Sequence, residues 1–413
     1  MDGAADILTL AVQASGLRVA SVERMEDLTA LRDRWRALEG RDPEGTVFLS
    51  WDWLERAFSG NPGRWRVLAV FHGPRLVCVF PLKYRVHWSS SRQEFQSEIE
   101  AGGRLLWSEY TGFLCEPAYE DAAIAALAEV LRQRPWVRLS LRYEGSQARA
   151  AKFMAAFPGE EYSARRKDYF INKGETDNLI CPRVHLPATY EDWLTTGPSK
   201  NTRQKIRRFT RRYLESGECT LSHASGDALK ADMAALLRLW MRKWAPVKGV
   251  ETARQVAANY LRILTTASQL GLLYMPVLKR NGQVLGALGH VVDPRMRRVH
   301  FIVAGRDESA EGHFIGLLLH AQAIGWAIRQ GHEIYDFCHG NEPYKYSFGA
   351  QESRVAYFTI RRRALPAPGR SLDPISGKAA LGRVLGFVEA EQTREAAAGC
   401  RQLLGMMDRP ARE

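Results

Sequence analysis

A faint internal repeat constrains this chain more than any other feature. Near the start, the apolar run at residues 66–71 enters a turn at His72-Gly73-Pro74 and returns over residues 76–82. Two β-rich runs around a Gly-bearing turn make a hairpin. The second half repeats it: residues 273–278, a turn at Arg280-Asn281-Gly282-Gln283, then residues 284–292. Asn-Gly between apolar strands is a strong hairpin signal. Each hairpin is followed by a strand (112–115; 298–303), an apolar-periodic helix (119–133; 311–330) and another strand (137–143; 333–338). The order strand, strand, strand, helix, strand occurs twice, which predicts two α/β modules of one ancestry.

Length and composition agree. At 413 residues the chain has room for two or three domains and a sizeable core. Hydrophobic residues are 46% and charged residues 25%, which excludes disordered, collagenous and disulfide-scaffold classes. The 58 Lys+Arg against 46 Asp+Glu give a charge of +12. That favours anionic partners: nucleic acid, phosphorylated cofactors or an acidic lipid face. The start, Met1-Asp2-Gly3-Ala4-Ala5-Asp6, lacks the basic and apolar runs of a signal peptide. The stretch 312–328 carries His313, His320 and Gln322 and falls short of the roughly 20 apolar residues of a membrane span. Six scattered cysteines without a CxxC pair read as reduced thiols, and His72, His87, His185, His223, His290, His300, His320 and His332 lack ligand spacing, so no metal is expected. The expected location is the cytoplasm, with peripheral docking on the inner face of the membrane as an option.

Between the modules lies a helical region. Pro198-Ser199 starts a helix over 200–215 that carries Lys200, Arg203, Lys205, Arg207, Arg208, Arg211 and Arg212. Seven cations in 13 positions is dense for a solvated face. The alternatives are phosphate, tRNA or anionic-lipid binding. Helices are also expected over 229–244 and 253–270. A strand at 355–363 and a Pro- and Gly-bearing run at 365–369 precede two helical patches, 381–388 and 396–407, expected to pack on the second module. The predicted division is an N-terminal module (1–185), a helical region (186–270), a second core (271–363) and a helical tail (364–413). Trp51, Trp53 and Trp88 fall by expected loops where an apolar substrate could rest.

Two segments concentrate chemistry. Residues 304–316 link a strand to a helix expected to begin near Ser309, a natural N-cap. A helix start offers unpaired N–H groups suited to a pyrophosphate, and Gly312 and Gly316 would admit a bulky ligand. The second segment, Tyr335-Asp336-Phe337-Cys338-His339-Gly340-Asn341-Glu342-Pro343-Tyr344-Lys345, follows the next strand. In open α/β sheets ligands lie beyond the carboxyl ends of strands. Glu342 or His339 is a candidate general base and Tyr344 a candidate general acid; a polar loop with a Glu342–Lys345 ion pair is the duller reading.

The run Asp336-Phe337-Cys338-His339-Gly340-Asn341-Glu342 with Tyr344-Lys345 resembles the D-F-x-x-G-x-E-x-Y-K signature of the CelD/BcsL-type acyltransferases of the GNAT superfamily, built, like FemX-type transferases, from two tandem GNAT-like modules. Phe48-Leu49-Ser50-Trp51-Asp52-Trp53-Leu54 and residues 199–208 agree, and the resemblance covers roughly residues 30 to 360. It implies an α/β fold of two tandem GNAT-like modules with mixed twisted sheets, a helical insertion and a helical tail. It also implies an acyl-CoA co-substrate, without a metal, and an amine acceptor. Carried onto this chain, the donor site falls on Gly305, Arg306, Ser309, Gly312, His313, Phe314 and Gly316, although Glu311-Gly312-His313-Phe314-Ile315-Gly316 departs from the superfamily's usual Gln/Arg-x-x-Gly-x-Gly/Ala loop. The catalytic set would be Glu342, His339, Tyr344, Lys345 and Asp336, with Lys345 orienting Glu342 or meeting a phosphate. Lys200, Arg203, Lys205, Arg207, Arg208 and Arg211 would face an anionic surface, nucleic acid being the less favoured partner. Bacterial ceramide synthases resemble this family, which points to a long-chain lipid amine such as a sphingoid base. The alternatives are an amino sugar in polysaccharide synthesis, a FemX-like aminoacyl-tRNA-dependent transfer, or a non-catalytic accessory role.

Overall fold

A computed structural model of the chain describes residues 9–12, 16–309 and 314–408. They form two compact units, one running to residue 168 and resuming at 355, the other spanning Tyr169–Arg354.

The first unit opens with β1 (Thr9–Val12), β2 (Leu17–Val22), α1 (Met25–Ala30), α2 (Arg32–Glu39) and α3 (Trp51–Ser59). Then come β3 (Trp65–His72), β4 (Arg75–Ser89), β5 (Glu94–Ala101), β6 (Leu114–Cys115), α4 (Glu120–Arg132), β7 (Arg138–Glu144), α5 (Gln147–Ala155) and β8 (Tyr162–Arg166). The β3–β4 hairpin turns through Gly73, whose φ of 55° lies where glycine has no steric penalty. The strand after it is Glu94–Ala101, not the expected 112–115, of which only the two-residue β6 is a strand, beside β4. β5 pairs antiparallel with β4 and, over three residues, parallel with β7. The crossover between them carries α4, whose Ile124, Leu127 and Leu131 are buried in the core with Leu68, Phe80 and Phe113.

The second unit starts with a two-stranded ribbon, β9 (Phe170–Ile171) with β10 (Thr176–Asp177), followed by β11 (Ile180–His185), α6 (Tyr190–Thr196), α7 (Lys200–Phe209) and β12 (Thr220–His223). Ser199 caps α7 through Oγ, which accepts from the Thr202 N–H, as its sequence suggested. Residues 210–215 continue α7 as a π-helical turn. Two long helices, α8 (Ala228–Lys248) and α9 (Val250–Gln269), lead into β13 (Leu273–Tyr274), β14 (Pro276–Arg280) and β15 (Gln283–Asp293). Asn281 and Gly282, at φ of 50° and 78°, give the β14–β15 turn the two left-handed residues of a tight hairpin. Then follow β16 (Arg298–Arg306), α10 (Phe314–Arg329), β17 (Ile334–Asp336), α11 (Pro343–Tyr346) and β18 (Gln351–Arg354). The sheet order is β12-β14-β15-β16-β17-β11-β18. Hairpin, third antiparallel strand, helix and parallel strand thus recur in both units in the same order.

The chain then returns to the first unit as β19 (Ala356–Arg362), between β7 and β8, and as the tail helices α12 (Gly377–Glu389) and α13 (Thr393–Met407). The strand expected to close the second core therefore belongs to the first sheet. The tail also packs on the first unit, not the second: Ala380, Val384 and Ala396 cluster with Phe95 of β5. Gln402 fixes this docking, its side chain accepting from the Phe95 N–H at 2.6 Å and donating to the Phe95 carbonyl at 2.9 Å. Trp51, Trp53 and Trp88 do not line a substrate loop. Trp51 and Trp53 are buried in α3, and Trp88 packs edge-on against Phe95 and Phe387.

Candidate active site

The site grows from a strand pair that opens. β16 and β17 run parallel only over Arg298–Ile334, Val299–Tyr335 and His300–Asp336. β16 then continues for six residues to Arg306 while β17 ends at Asp336. One edge of residues 301–306 is thereby left without a neighbouring strand among the described residues. Backbone N–H and C=O groups on such an edge need partners, and an extended ligand can supply them.

The chain leaving β17 is folded tightly. Cys338 (φ 52°) and Gly340 (φ 95°) both adopt left-handed conformations, and a Cβ on Gly340 would stand 2.6 Å from Glu342 Oε2. Lys345, buried in α11, donates to the carbonyls of His339 (2.6 Å) and Gly340 (2.8 Å) and pairs with Glu342 Oε2 at 2.9 Å. It orients Glu342 and clamps the loop; it does not face solvent, where a phosphate could meet it. His339 Nδ1 lies 3.3 Å from Cys181 Sγ. Tyr344 is 43% exposed at the rim, and burial together with the Glu342 carboxylate pushes its pKa up. Asp336 is fully buried: it accepts from Arg183 Nε at 3.0 Å and from the Cys338 N–H at 2.8 Å, with His300 Nδ1 at 3.6 Å. Asp336 therefore shapes the turn. The five catalytic candidates lie in one short segment, from the end of β17 through the turn into α11, with Glu342 and Tyr344 reaching the surface. His300, Asp336 and Cys338 also bring ligand-type atoms within 4.8 Å of one another. The Arg183 guanidinium already neutralises that carboxylate and would oppose a cation there.

Beneath this loop is a polar array that sequence spacing does not reveal, its histidines standing isolated along the chain. His290 (β15), Tyr335 (β17) and His320 (α10) are all buried. The Tyr335 hydroxyl lies 2.8 Å from His290 Nε2 and 2.9 Å from His320 Nδ1, while His290 Nδ1 meets the Tyr274 carbonyl at 3.1 Å. Burial drops the His290 pKa to about 3 and holds His320 well below the usual imidazole value, so both stay neutral. No short motif spacing joins positions 290, 320 and 335; only sheet order and the α10 crossover do.

Several expected donor-site residues have other roles. Gly305 is required by packing, since a Cβ there would lie 2.2 Å from the Leu236 carbonyl oxygen of α8. Phe314 is core, stacked on Tyr213 at 3.9 Å between ring centroids. Arg306 makes a two-point ion pair with Glu308, which also meets Lys243 at 3.2 Å. Ser309 is exposed and donates to Asp307, and Gly316 has open space except for Arg306 Nη1 at 3.7 Å. Gly312 and His313 lie outside the described residues, and the described helix begins at Phe314. A groove of about 1020 Å³ runs along α8 past Arg238, Arg242 and Lys279 and reaches Asp307, just after β16. A second groove of about 370 Å³ is lined by Asn201, Gln204, Lys205, Arg207, Arg208 and Arg211 of the basic helix and its π-helical turn. Arg207 is paired with Glu191 and Arg203 caps the Thr195 carbonyl, so Lys205, Arg208 and Arg211 are the cations that face the groove without an acidic partner among the described residues.

The opened strand pair, the crossover helix and the loop beyond β17 all lie within one segment that is similar to a known family. Residues 200–346, from α7 to α11, match the family described as "Acetyltransferase (GNAT) domain". Among solved structures the chain is similar to FemX, at 10% identity and a TM-score of 0.53, covering 79% of this chain and 95% of that one. It is also similar to a tandem GNAT protein from the clavulanic acid biosynthesis pathway, at 13% identity and a TM-score of 0.49, covering 85% and 99%. No curated protein matches the sequence. The fold is a mixed α/β arrangement of two GNAT-like units, and the family match falls within the second.

Proposed function

We propose that the protein is an acyl-CoA-dependent N-acyltransferase that moves an acyl group from a thioester to a primary amine, with a long-chain lipid amine such as a sphingoid base as acceptor. The observation that carries this reading is the free edge of β16 beyond His300, beside the Glu342–Tyr344 rim and inside the segment that matches the acetyltransferase family. An amide-bearing donor arm laid along residues 301–306 would complete the sheet. A backbone N–H on that edge would polarise the thioester carbonyl. The α8 groove has the volume of a small-molecule site, and its cations suit the donor's phosphates. Glu342, held in place by Lys345, draws the amine toward the carbonyl carbon, and Tyr344 covers the rim.

The lipid acceptor is supported by the groove on α7 and by the stripe Leu381, Leu385 and Val388, exposed on α12 at helical spacing. Each cation near an anionic leaflet adds about 1 kcal/mol. No helix among the described residues is long and apolar enough to cross a membrane. The test is sedimentation with anionic and neutral vesicles, paired with acylation of a sphingoid base and of an amino sugar. Salt-sensitive binding to anionic vesicles only is expected, with the sphingoid amide as product. Acylation of the amino sugar alone would overturn the acceptor, and tRNA-dependent transfer without acyl-CoA would overturn the donor.

A further inference from the structure

The hydrogen-bond directions in the buried array fix the state of its last member. A carbonyl can only accept, so His290 Nδ1 carries the proton that meets the Tyr274 oxygen at 3.1 Å. In a neutral imidazole the other nitrogen is then an acceptor, so the Tyr335 O–H donates to His290 Nε2 at 2.8 Å. With its single proton used, the Tyr335 oxygen accepts at 2.9 Å from His320 Nδ1–H. His320 is thereby held in one tautomer, with a lone pair on Nε2. Among the described residues nothing bonds that nitrogen.

The His320 ring lies under the opened strands. Phe301 of β16 is 4.8 Å away between centroids, Phe337 5.1 Å, Phe348 5.3 Å and the half-exposed Tyr344 5.8 Å. The titratable groups facing it are His290 from β15, Tyr335 from β17, and Tyr344 and Lys345 from α11. No carboxylate is among them, so nothing there stabilises a resting imidazolium. Glu342 is already paired with Lys345, and His339 Nδ1 is engaged with Cys181.

We infer that His320 Nε2 is the proton carrier of the transfer, set in the right tautomer by Tyr335 and His290. This rests on the proposed N-acyl transfer. The amine nitrogen attacks the thioester carbon, the C–N bond forms and the C–S bond breaks. The proton lost by nitrogen passes to His320 Nε2 and then to the departing thiolate sulfur. Imidazole returns to neutral, and the proton balance closes without an outside base. Tyr335 and His290 are positioning residues in this scheme.

The test uses the whole protein in two ways. With ¹⁵N-labelled histidine, NMR should show His320 as the Nδ1–H tautomer, still unprotonated at pH values below the ordinary imidazole range. The Tyr335→Phe variant should show mixed tautomers at His320. An Nε2–H tautomer, or an ordinary titration near neutral pH, overturns the inference whatever the protein catalyses. In the transfer assay His320→Asn keeps an N–H for Tyr335 but has no base. It should cut kcat by about 100-fold or more with little change in donor KM, given the usual weight of a general base. Tyr335→Phe should lose less and move the pH profile. A folded His320→Asn enzyme with wild-type kcat sinks the role of His320 alone. A wild-type enzyme that makes no amide from any donor sinks the transferase reading and this role together.

Discussion

Glu144 ends β7 with its carboxyl buried, and burial is the largest cause pushing its pKa up to about 8, against the Ser146 N–H that favours the charged form. Below about pH 4.5 the group is protonated in folded and unfolded chains alike and costs nothing. Between there and pH 8 only the folded chain keeps the proton, so stability falls as pH rises, by at most about 1.4 kcal/mol for each pH unit. Glu144→Gln should match the wild type at low pH and exceed it in denaturant midpoint at pH 8. Equal midpoints at pH 8 would contradict the assignment. Arg149 is the opposite case, a buried cation fully met: both its terminal nitrogens lie 2.8 Å from Asp42, and the Phe113 and Cys115 carbonyls accept from them. Asp42→Ala strips the two-point carboxylate from both terminal nitrogens, leaving Glu120 at 2.8 Å on Nε, and should cost about 3 kcal/mol in urea unfolding. A loss below about 1 kcal/mol would mean that the pair behaves as a surface ion pair.

Two elements depend on contacts with no room to spare. β16 reaches α8 through Gly305, where a methyl group would meet the Leu236 carbonyl at 2.2 Å. Gly305→Ala should therefore push α8 from the sheet, cost about 1–3 kcal/mol and weaken donor binding along the α8 groove, seen by thermal unfolding and calorimetry. Unchanged stability would count against this packing. α13 depends on Gln402, whose removal as Gln402→Ala leaves the Phe95 backbone groups unpaired and should cost about 1–3 kcal/mol. The hairpins, the crossover helices and the parallel strands after them were legible because their patterns are local: Asn281-Gly282 for a turn, Leu127 and Leu131 for a helix face. β5 was not, because Glu94, Gln96 and Ser97 are polar yet buried. Gln96 donates to Glu94, and Glu94 and Ser97 are met by Arg92 and, from far along the chain, by the Gly369 N–H, Ser371, Ser376 and the Asp373 N–H. The loop beyond β17 was legible as a motif. The His290–Tyr335–His320 array was not, since three separate elements assemble it.

At the scale of the whole chain, one topology is used twice, and the catalytic reading rests on the second copy. Both copies end in a parallel pair three residues long, Glu98–Arg138 to Glu100–Ser140 in the first and Arg298–Ile334 to His300–Asp336 in the second. The first pair lies beside β19 and the docked tail, and Asp373 from the tail approach anchors Arg66 of β3 with two bonds of 2.8 and 2.9 Å. The second opens onto Glu342, Tyr344 and the array around His320. The net charge of +12 adds a salt-dependent attraction for anionic partners, which high salt should weaken before it affects folding. The central claim is that this opened strand pair performs amide formation. Its most direct test is mass spectrometry of the purified protein with a series of acyl-CoA donors and a sphingoid amine, following amide formed and thiol released. The account predicts both in equal amounts, and both lost together in His320→Asn while CoA binding persists. Thiol release without amide, or no product from any donor despite measurable CoA binding, would contradict it.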